Sequence, residues 1–252
     1  MEPSDLQAAY NFMCQVKQDF KVKNRFTTDG RLDALIEMYA KEQANAWELP
    51  AGRTMYRARI YTEADASERF RNPPSGRFKG YDKEASFVNL NYEMVGEGRC
   101  NPQYIPYLYT SSSAECCVYE VRPAKEAYVS VARIKANEPL RLLCLEQCSG
   151  FVTNYGSHIV DGVQNVIMFM YLAREFSVPH KNFGDYLLCQ YVAEKVKSFG
   201  FDGITYESAV YGGKSATNYV IFNYEKCRPT SSELRIISDV TIESITSREF
   251  AR

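Results

Sequence analysis

The stretch from Gly98 to Arg122 constrains this chain more than any other. It opens on a Gly-Arg-Cys-Asn-Pro turn and continues through the aromatic segment Tyr104 to Tyr109. Three serines, Ser111 to Ser113, then lead into the apolar run Ala114 to Val121. Glycine and proline so close together favour a tight turn. The aromatic segment after it predicts a strand over 104–109. Serine ahead of an apolar run is an N-cap signal and predicts a short helix over 114–121. Of its two acidic residues, Glu115 and Glu120, the second falls near the end of that helix, among Cys116, Cys117, Val118, Tyr119 and Val121. Carboxylates avoid apolar surroundings unless they are paired or hydrogen-bonded. Glu120 is therefore either a functional anion or the structural partner of Arg122 or of a core arginine.

The rest of the chain interleaves helices and strands without the βαβ rhythm of a Rossmann fold, and no Gly-x-Gly-x-x-Gly opens a helix after a strand. Residues 4–47 read as two helices. Ser4-Asp5 caps the first, which runs to about Lys17 with Leu6, Tyr10, Met13 and Val16 on one face. Thr28-Asp29-Gly30 marks a break. The second helix carries Leu32, Leu35, Ile36, Tyr39 and Ala40 and ends near Trp47. The turn Pro50-Ala51-Gly52 sets a boundary, making residues 1–48 a helical N-terminal extension and 49–252 the main domain. A strand is predicted over 54–61. Residues 62–98 form a long polar loop region, of the kind that serves as a lid or binding loop. Strands follow at 129–134 and 140–145, then helices at 161–175 and 185–198, the latter stopped by Gly200. Short buried strands follow at 204–206 and 219–222. The tail alternates at Ile236, Val240, Ile242 and Ile245 and predicts an edge strand.

At 252 residues, 45% hydrophobic, the chain suits one generous domain or one domain with an extension. Its 30 basic and 31 acidic residues give a net charge of −1, which argues against nucleic acid as the main partner. The N-terminus lacks the basic and apolar regions of a secretory signal. The most apolar run, Val163 to Ala173, is too short to span a bilayer. These features predict a cytoplasmic chain with no membrane partner. Its eight cysteines are then expected as thiols. With two histidines and no Cys-x-x-Cys pair, no metal site is expected.

Several further residues are suited to a polar, phosphorylated ligand. Arg57 lies in Met55-Tyr-Arg-Ala-Arg59, and Arg99 in the Gly-Arg-x-Asn-Pro turn. A guanidinium presents a planar fork that matches phosphate oxygens. Arg59 and Arg77 compete for the same role. Tyr109 offers a ring for stacking and a hydroxyl for a sugar; Tyr107 lies two residues earlier, on the same face of an ideal strand. Ser208 ends Asp202-Gly-Ile-Thr-Tyr-Glu-Ser. No histidine or lysine near it supplies a base, so it reads as a hydrogen-bond donor, not a nucleophile. Gly212 and Gly213 permit close backbone approach. Asn218 can bond a ligand or brace its loop.

Arginine, glutamate and serine in this order, on these three segments, resemble the RES domain over residues 53–228. That family contains toxins of bacterial toxin–antitoxin pairs that destroy NAD. The resemblance implies an α+β, ADP-ribosyltransferase-like fold, with a central, mostly antiparallel sheet split around a cleft and flanked by helices. It makes Glu120, Arg57 and Ser208 catalytic and assigns NAD binding to Arg99, Tyr109, Asn218 and Tyr107. The Asn-Pro and Tyr-Leu-Tyr that follow select Arg99 over Arg77. NAD is then substrate, and no cofactor is implied. Cleaving the nicotinamide–ribose bond leaves an oxocarbenium-like ribose, as in glycoside cleavage. An anion must face that cation, but no acid is needed, because nicotinamide leaves neutral. Water as acceptor makes the chain an NAD glycohydrolase, and phosphate makes it an NAD phosphorylase. A protein acceptor makes it an ADP-ribosyltransferase; a non-catalytic NAD-binding module is the alternative of another class. The implied partner is a cognate antitoxin on a separate chain. The N-terminal helices and the 62–98 loop are the surfaces expected to meet it, or a second copy in a homodimer. Two departures stand out: an insertion at Lys214–Thr217, and Tyr104 where many relatives have glycine.

Overall fold

Segments whose side chains alternate between two apolar layers pair into a single sheet. The computed structural model describes residues 3–23, 30–42, 45–61, 80–89, 91–145, 160–178, 183–208, 210–211 and 217–240. Among them, eight strands form that sheet: β1 (Ala46–Leu49), β2 (Thr54–Tyr61), β3 (Leu108–Ser111), β4 (Tyr128–Ala136), β5 (Leu140–Cys144), β6 (Gly203–Glu207), β7 (Thr217–Ile221) and β8 (Cys227–Ile236). Their order is β1-β5-β6-β7-β3-β2-β4-β8. Only β5 and β6 run parallel. A parallel pair needs a crossover, and two helices, α4 (Val160–Ser177) and α5 (Leu187–Ser198), lie between those strands in sequence.

The sheet is continuous but split. β2 pairs with β4 along its whole length, and β3 with β7 over four positions, whereas β2 meets β3 at one pair, Tyr56 opposite Ser111. The two halves are joined there and part beyond it. The mostly antiparallel split sheet flanked by helices is the architecture expected.

Two N-terminal helices, α1 (Pro3–Val22) and α2 (Arg31–Lys41), share one apolar cluster with α4, α5 and the sheet. Phe12, Met13, Leu32, Ile36 and Tyr39 pack with Phe169, Leu172, Phe176, Leu188 and Val192, and with Leu143, Ile204 and Val220 of the sheet. Tyr39 stacks on Phe169, ring centroids 3.3 Å apart, and its hydroxyl donates to the Cys144 carbonyl at 2.7 Å. Leu49, Met55, Leu108, Ile134, Leu142 and Ile221 form a second cluster; Leu142 and Leu143, adjacent in β5, point to opposite faces. A short helix, α3 (Ala114–Glu120), packs Ala114 and Cys117 on Ala58, Val129 and Val131.

Local signals misplace several boundaries. α1 runs to Val22, past the expected end near Lys17, because Phe20 continues the stripe of Val16 and is buried. α2 stops at Lys41, and Trp47 belongs to β1, opposite Leu142 and stacked on Tyr219 at 5.7 Å. That pairing partner is remote in sequence, so no local pattern announces it, and β1 crosses the boundary drawn at residue 48. The aromatic strand begins at Leu108, not Tyr104. Pro106 cannot donate to a ladder, and Tyr104 has a left-handed φ of 73°. The edge strand is real but earlier in sequence, ending at Ile236; Ile242 and Ile245 lie outside the described residues. So do 62–79 of the long loop and most of the 214–217 insertion.

Candidate active site

Where β2 and β3 part, a cavity of about 300 Å³ opens. Tyr56, Arg57 and Ala58 of β2 line it with Tyr109, Thr110 and Ser111 of β3, Cys117, Glu120 and Val121 around the end of α3, Tyr206 of β6 and Asn218 of β7.

Glu120 is the last residue of α3. Ser113 caps the other end, accepting from the Cys116 amide at 3.1 Å, so the length of the helix sets where the carboxylate emerges. The C-terminal end of a helix carries partial negative charge and does not favour an anion. The sheet supplies what the helix does not. Glu120 Oε1 accepts from Ser208 Oγ and from Asn218 Nδ2, each at 2.6 Å. No arginine or lysine among the described residues pairs with the carboxylate, and Oε2 takes no donor there. The structural ion pair to Arg122 or a core arginine is not formed.

Both donors are themselves held. Ser208 is buried, and its Oγ accepts from the Tyr211 amide at 3.1 Å and the Val210 amide at 3.3 Å. Its hydroxyl proton therefore goes to Glu120. Asn218 is buried, and its Oδ1 accepts from Ser111 Oγ at 2.6 Å, with the Cys116 thiol 3.8 Å away.

Arg57 enters from the opposite strand. Its Nη1 donates to the Tyr109 carbonyl at 3.1 Å. Its Nε is buried and, among the described residues, has no partner. Burial, with Arg59 nearby, lowers the guanidinium from its usual range to about 10, so it stays charged at neutral pH. A desolvated cation with unused donors is unfavourable in isolation, and a ligand acceptor would offset that. Arg59 instead donates to the Ala85 carbonyl and lies over the Tyr81 ring at 4.7 Å. Arg77 lies outside the described residues.

Tyr109 lines the cavity and also packs against the helical-side cluster, while its hydroxyl donates to Asn101 Oδ1 at 2.8 Å and accepts from the Cys100 amide at 2.9 Å. Burial raises its phenol well above the usual range. The Gly-Arg-x-Asn-Pro turn thus braces Tyr109. Arg99 lies outside the cavity lining: its Nη1 donates to the carbonyls of Glu175 at 2.8 Å and Val178 at 2.9 Å, at the C-terminal end of α4. Tyr107 is also elsewhere. Its hydroxyl donates to Glu194 of α5 and its ring packs 4.9 Å from Phe222. It packs against the same helical-side cluster as Tyr109 but lies outside the cavity lining.

The structure therefore gathers Glu120, Arg57, Ser208, Tyr109 and Asn218 and leaves Arg99 and Tyr107 aside. It adds Ser111, Tyr56, Tyr206 and Cys117. Tyr206 carried a signal, two residues before Ser208 at the same strand parity; Ser111 was legible only as part of a capping run. Burial pushes the Cys117 thiol up to about 12, which makes it a packing residue rather than a nucleophile. Among the described residues no cluster of His, Cys, Asp and Glu is placed to hold a metal, and no helix is long and apolar enough to cross a membrane.

No curated protein matches the sequence. Among solved structures, the chain is similar to that of the M. tuberculosis MbcT–MbcA toxin–antitoxin complex, with 16% identity and a TM-score of 0.40 over 79% of this chain and 90% of that one. The sequence model of the RES domain matches residues 54–239, a span that includes the whole cavity lining. The chain belongs to the RES domain family.

Proposed function

We propose that this protein cleaves the nicotinamide–ribose bond of NAD and acts as a toxin in the cytoplasm, restrained by a cognate antitoxin on a separate chain. The observation that carries the reading is a fixed anion opposite a desolvated cation in one cavity. Glu120 is clamped through Oε1 with Oε2 open, and Arg57 brings a buried Nε without a partner to the same space. RES family membership supplies the class of substrate. A cavity of about 300 Å³ is at the small end for ligand sites. It suits the nicotinamide riboside half of NAD, with the adenosine half outside.

In this reading Arg57 takes an oxygen of the nicotinamide-side phosphate, and the Tyr109 and Tyr206 rings hold the nicotinamide. As the bond breaks, positive charge develops on the ribose, and Glu120 stabilises it. Ser208 and Asn218 keep the carboxylate still, so little reorganisation accompanies the charge. Ser208 forms no covalent intermediate. NAD enters as substrate and no cofactor takes part.

The test is to incubate the purified protein with NAD, with and without phosphate and an added protein acceptor, and to identify products by mass spectrometry. Nicotinamide must appear, with ADP-ribose, ADP-ribose 1″-phosphate or a modified protein naming the acceptor. Glu120→Gln should lower the rate about a hundredfold to a thousandfold, the usual loss for such a stabiliser, with NAD affinity retained in calorimetry. NAD loss at the wild-type rate by this variant would overturn the assignment.

A further inference from the structure

We propose that Ser111 is a positioning residue for Glu120, acting through Asn218; its effect on turnover rests on the NAD-cleavage reading. An ionised carboxylate only accepts hydrogen bonds. The Asn218 amide must therefore turn Nδ2 toward Glu120, which leaves Oδ1 facing the other way. Ser111 meets it there, donating its hydroxyl at 2.6 Å. Both side chains are buried, at 3% and 4% exposure. The reversed amide would set its oxygen against Glu120 Oε1, at the 2.6 Å now spanned by a hydrogen bond.

The backbone supports this alignment. Ser111 lies directly opposite Asn218 in the β3–β7 ladder and opposite Tyr56 at the single β2–β3 pair. It sits at the point where the sheet begins to split, in register with the residue it orients. The Cys116 thiol, 3.8 Å from the same Oδ1, is a weak donor and a poor substitute. Without the Ser111 hydroxyl, a buried carbonyl oxygen loses its strong donor, and the amide is free to turn or withdraw from the carboxylate. Glu120 would keep only Ser208.

The experiment compares Ser111→Ala, Ser111→Thr, Asn218→Ala and Ser111→Ala/Asn218→Ala in the full chain, each first shown to melt cooperatively. Ser111→Ala should lower kcat about tenfold to a hundredfold with KM little changed, because the carboxylate acts on charge that forms in the transition state. Ser111→Thr keeps the hydroxyl and should recover most of the rate. In the Asn218→Ala background, removing Ser111 should add nothing, since its route to Glu120 is already gone. The Asn218 side-chain NH2 pair, assigned by its loss in Asn218→Asp, should be sharp and slowly exchanging in wild type and broadened in Ser111→Ala. Wild-type kcat with unchanged NH2 signals in Ser111→Ala, or additive losses in the double variant, would overturn the proposal. If wild type leaves NAD intact, the cleavage reading falls, and the NH2 signals alone decide whether Ser111 holds Asn218.

Discussion

At the scale of residues, the site is one hydrogen-bonded chain around Glu120 and one desolvated cation, Arg57. Ser111 donates to Asn218, and Asn218 and Ser208 donate to Glu120. Arg57 has the opposite character: its surroundings disfavour its charge, lowering it to about 10. Two expectations follow. Arg57→Ala should weaken NAD binding by about 1.5–3 kcal/mol, the range for a charge-assisted hydrogen bond, read by calorimetry. In the wild type, affinity should be flat through neutral pH and fall as pH rises through about 10, where the guanidinium loses its proton. The sign follows from a cation whose charged form exists only below its folded-state value. Unchanged affinity in Arg57→Ala would move the phosphate contact to another residue.

At the scale of elements, the Gly-Arg-x-Asn-Pro turn joins the site to the helical layer. Gln190 of α5 donates to the Gly98 and Asn101 carbonyls, Arg99 caps α4, and Asn101 takes the Tyr109 hydroxyl. A Cβ on Gly98 would lie 2.5 Å from Asn101 Oδ1 and 2.8 Å from the Tyr109 hydroxyl. Those two groups are bonded to each other, so neither can move aside without breaking that bond. Gly98→Ala is expected to destabilise by about 1–3 kcal/mol through overpacking. Arg99→Ala should lower stability by about 1.5–3 kcal/mol through loss of charged donors, while NAD affinity per folded molecule changes little. Chemical denaturation and calorimetry on the same samples separate the two effects. A large affinity loss in Arg99→Ala at unchanged stability would return Arg99 to the role of phosphate clamp.

At the scale of the whole molecule, α1 and α2 are built into the core that supports the sheet, and Tyr39 is fully buried between α4 and the end of β5. Removing residues 1–42 would bare Phe169, Leu172 and Phe176. The shortened chain is expected to lose its cooperative melt and expose apolar surface to dye binding, rather than yield a free-standing catalytic domain. A folded, active product would show that 1–48 is a dispensable extension. A further expectation rests on the proposed function. Expressed alone in a bacterial host, the wild type should deplete NAD and arrest growth, and Glu120→Gln should do neither. Arrest by both, with NAD unchanged, would favour the binding-module alternative. Level NAD with newly ADP-ribosylated proteins in the wild type alone would make the chain a transferase.

What the sequence determined by itself was chemistry that is locally encoded. The serine cap ahead of Ala114 fixes a helix whose last residue is Glu120. An acid in an apolar run, and arginine, glutamate and serine in order on three segments, were enough to identify the family and to point to several residues that line or brace the cavity. Only the tertiary structure could decide which residues stand together, because that depends on partners far apart in the chain. Trp47 reads as a helix end until β5 arrives beside it. Arg99 has the form of a phosphate clamp until the carbonyls at the end of α4 arrive to accept its hydrogen bonds. Ser111 reads as a capping serine until β7 sets Asn218 opposite it. Hydrogen-bond donors are chosen by distance in space, and a sequence records only distance along the chain.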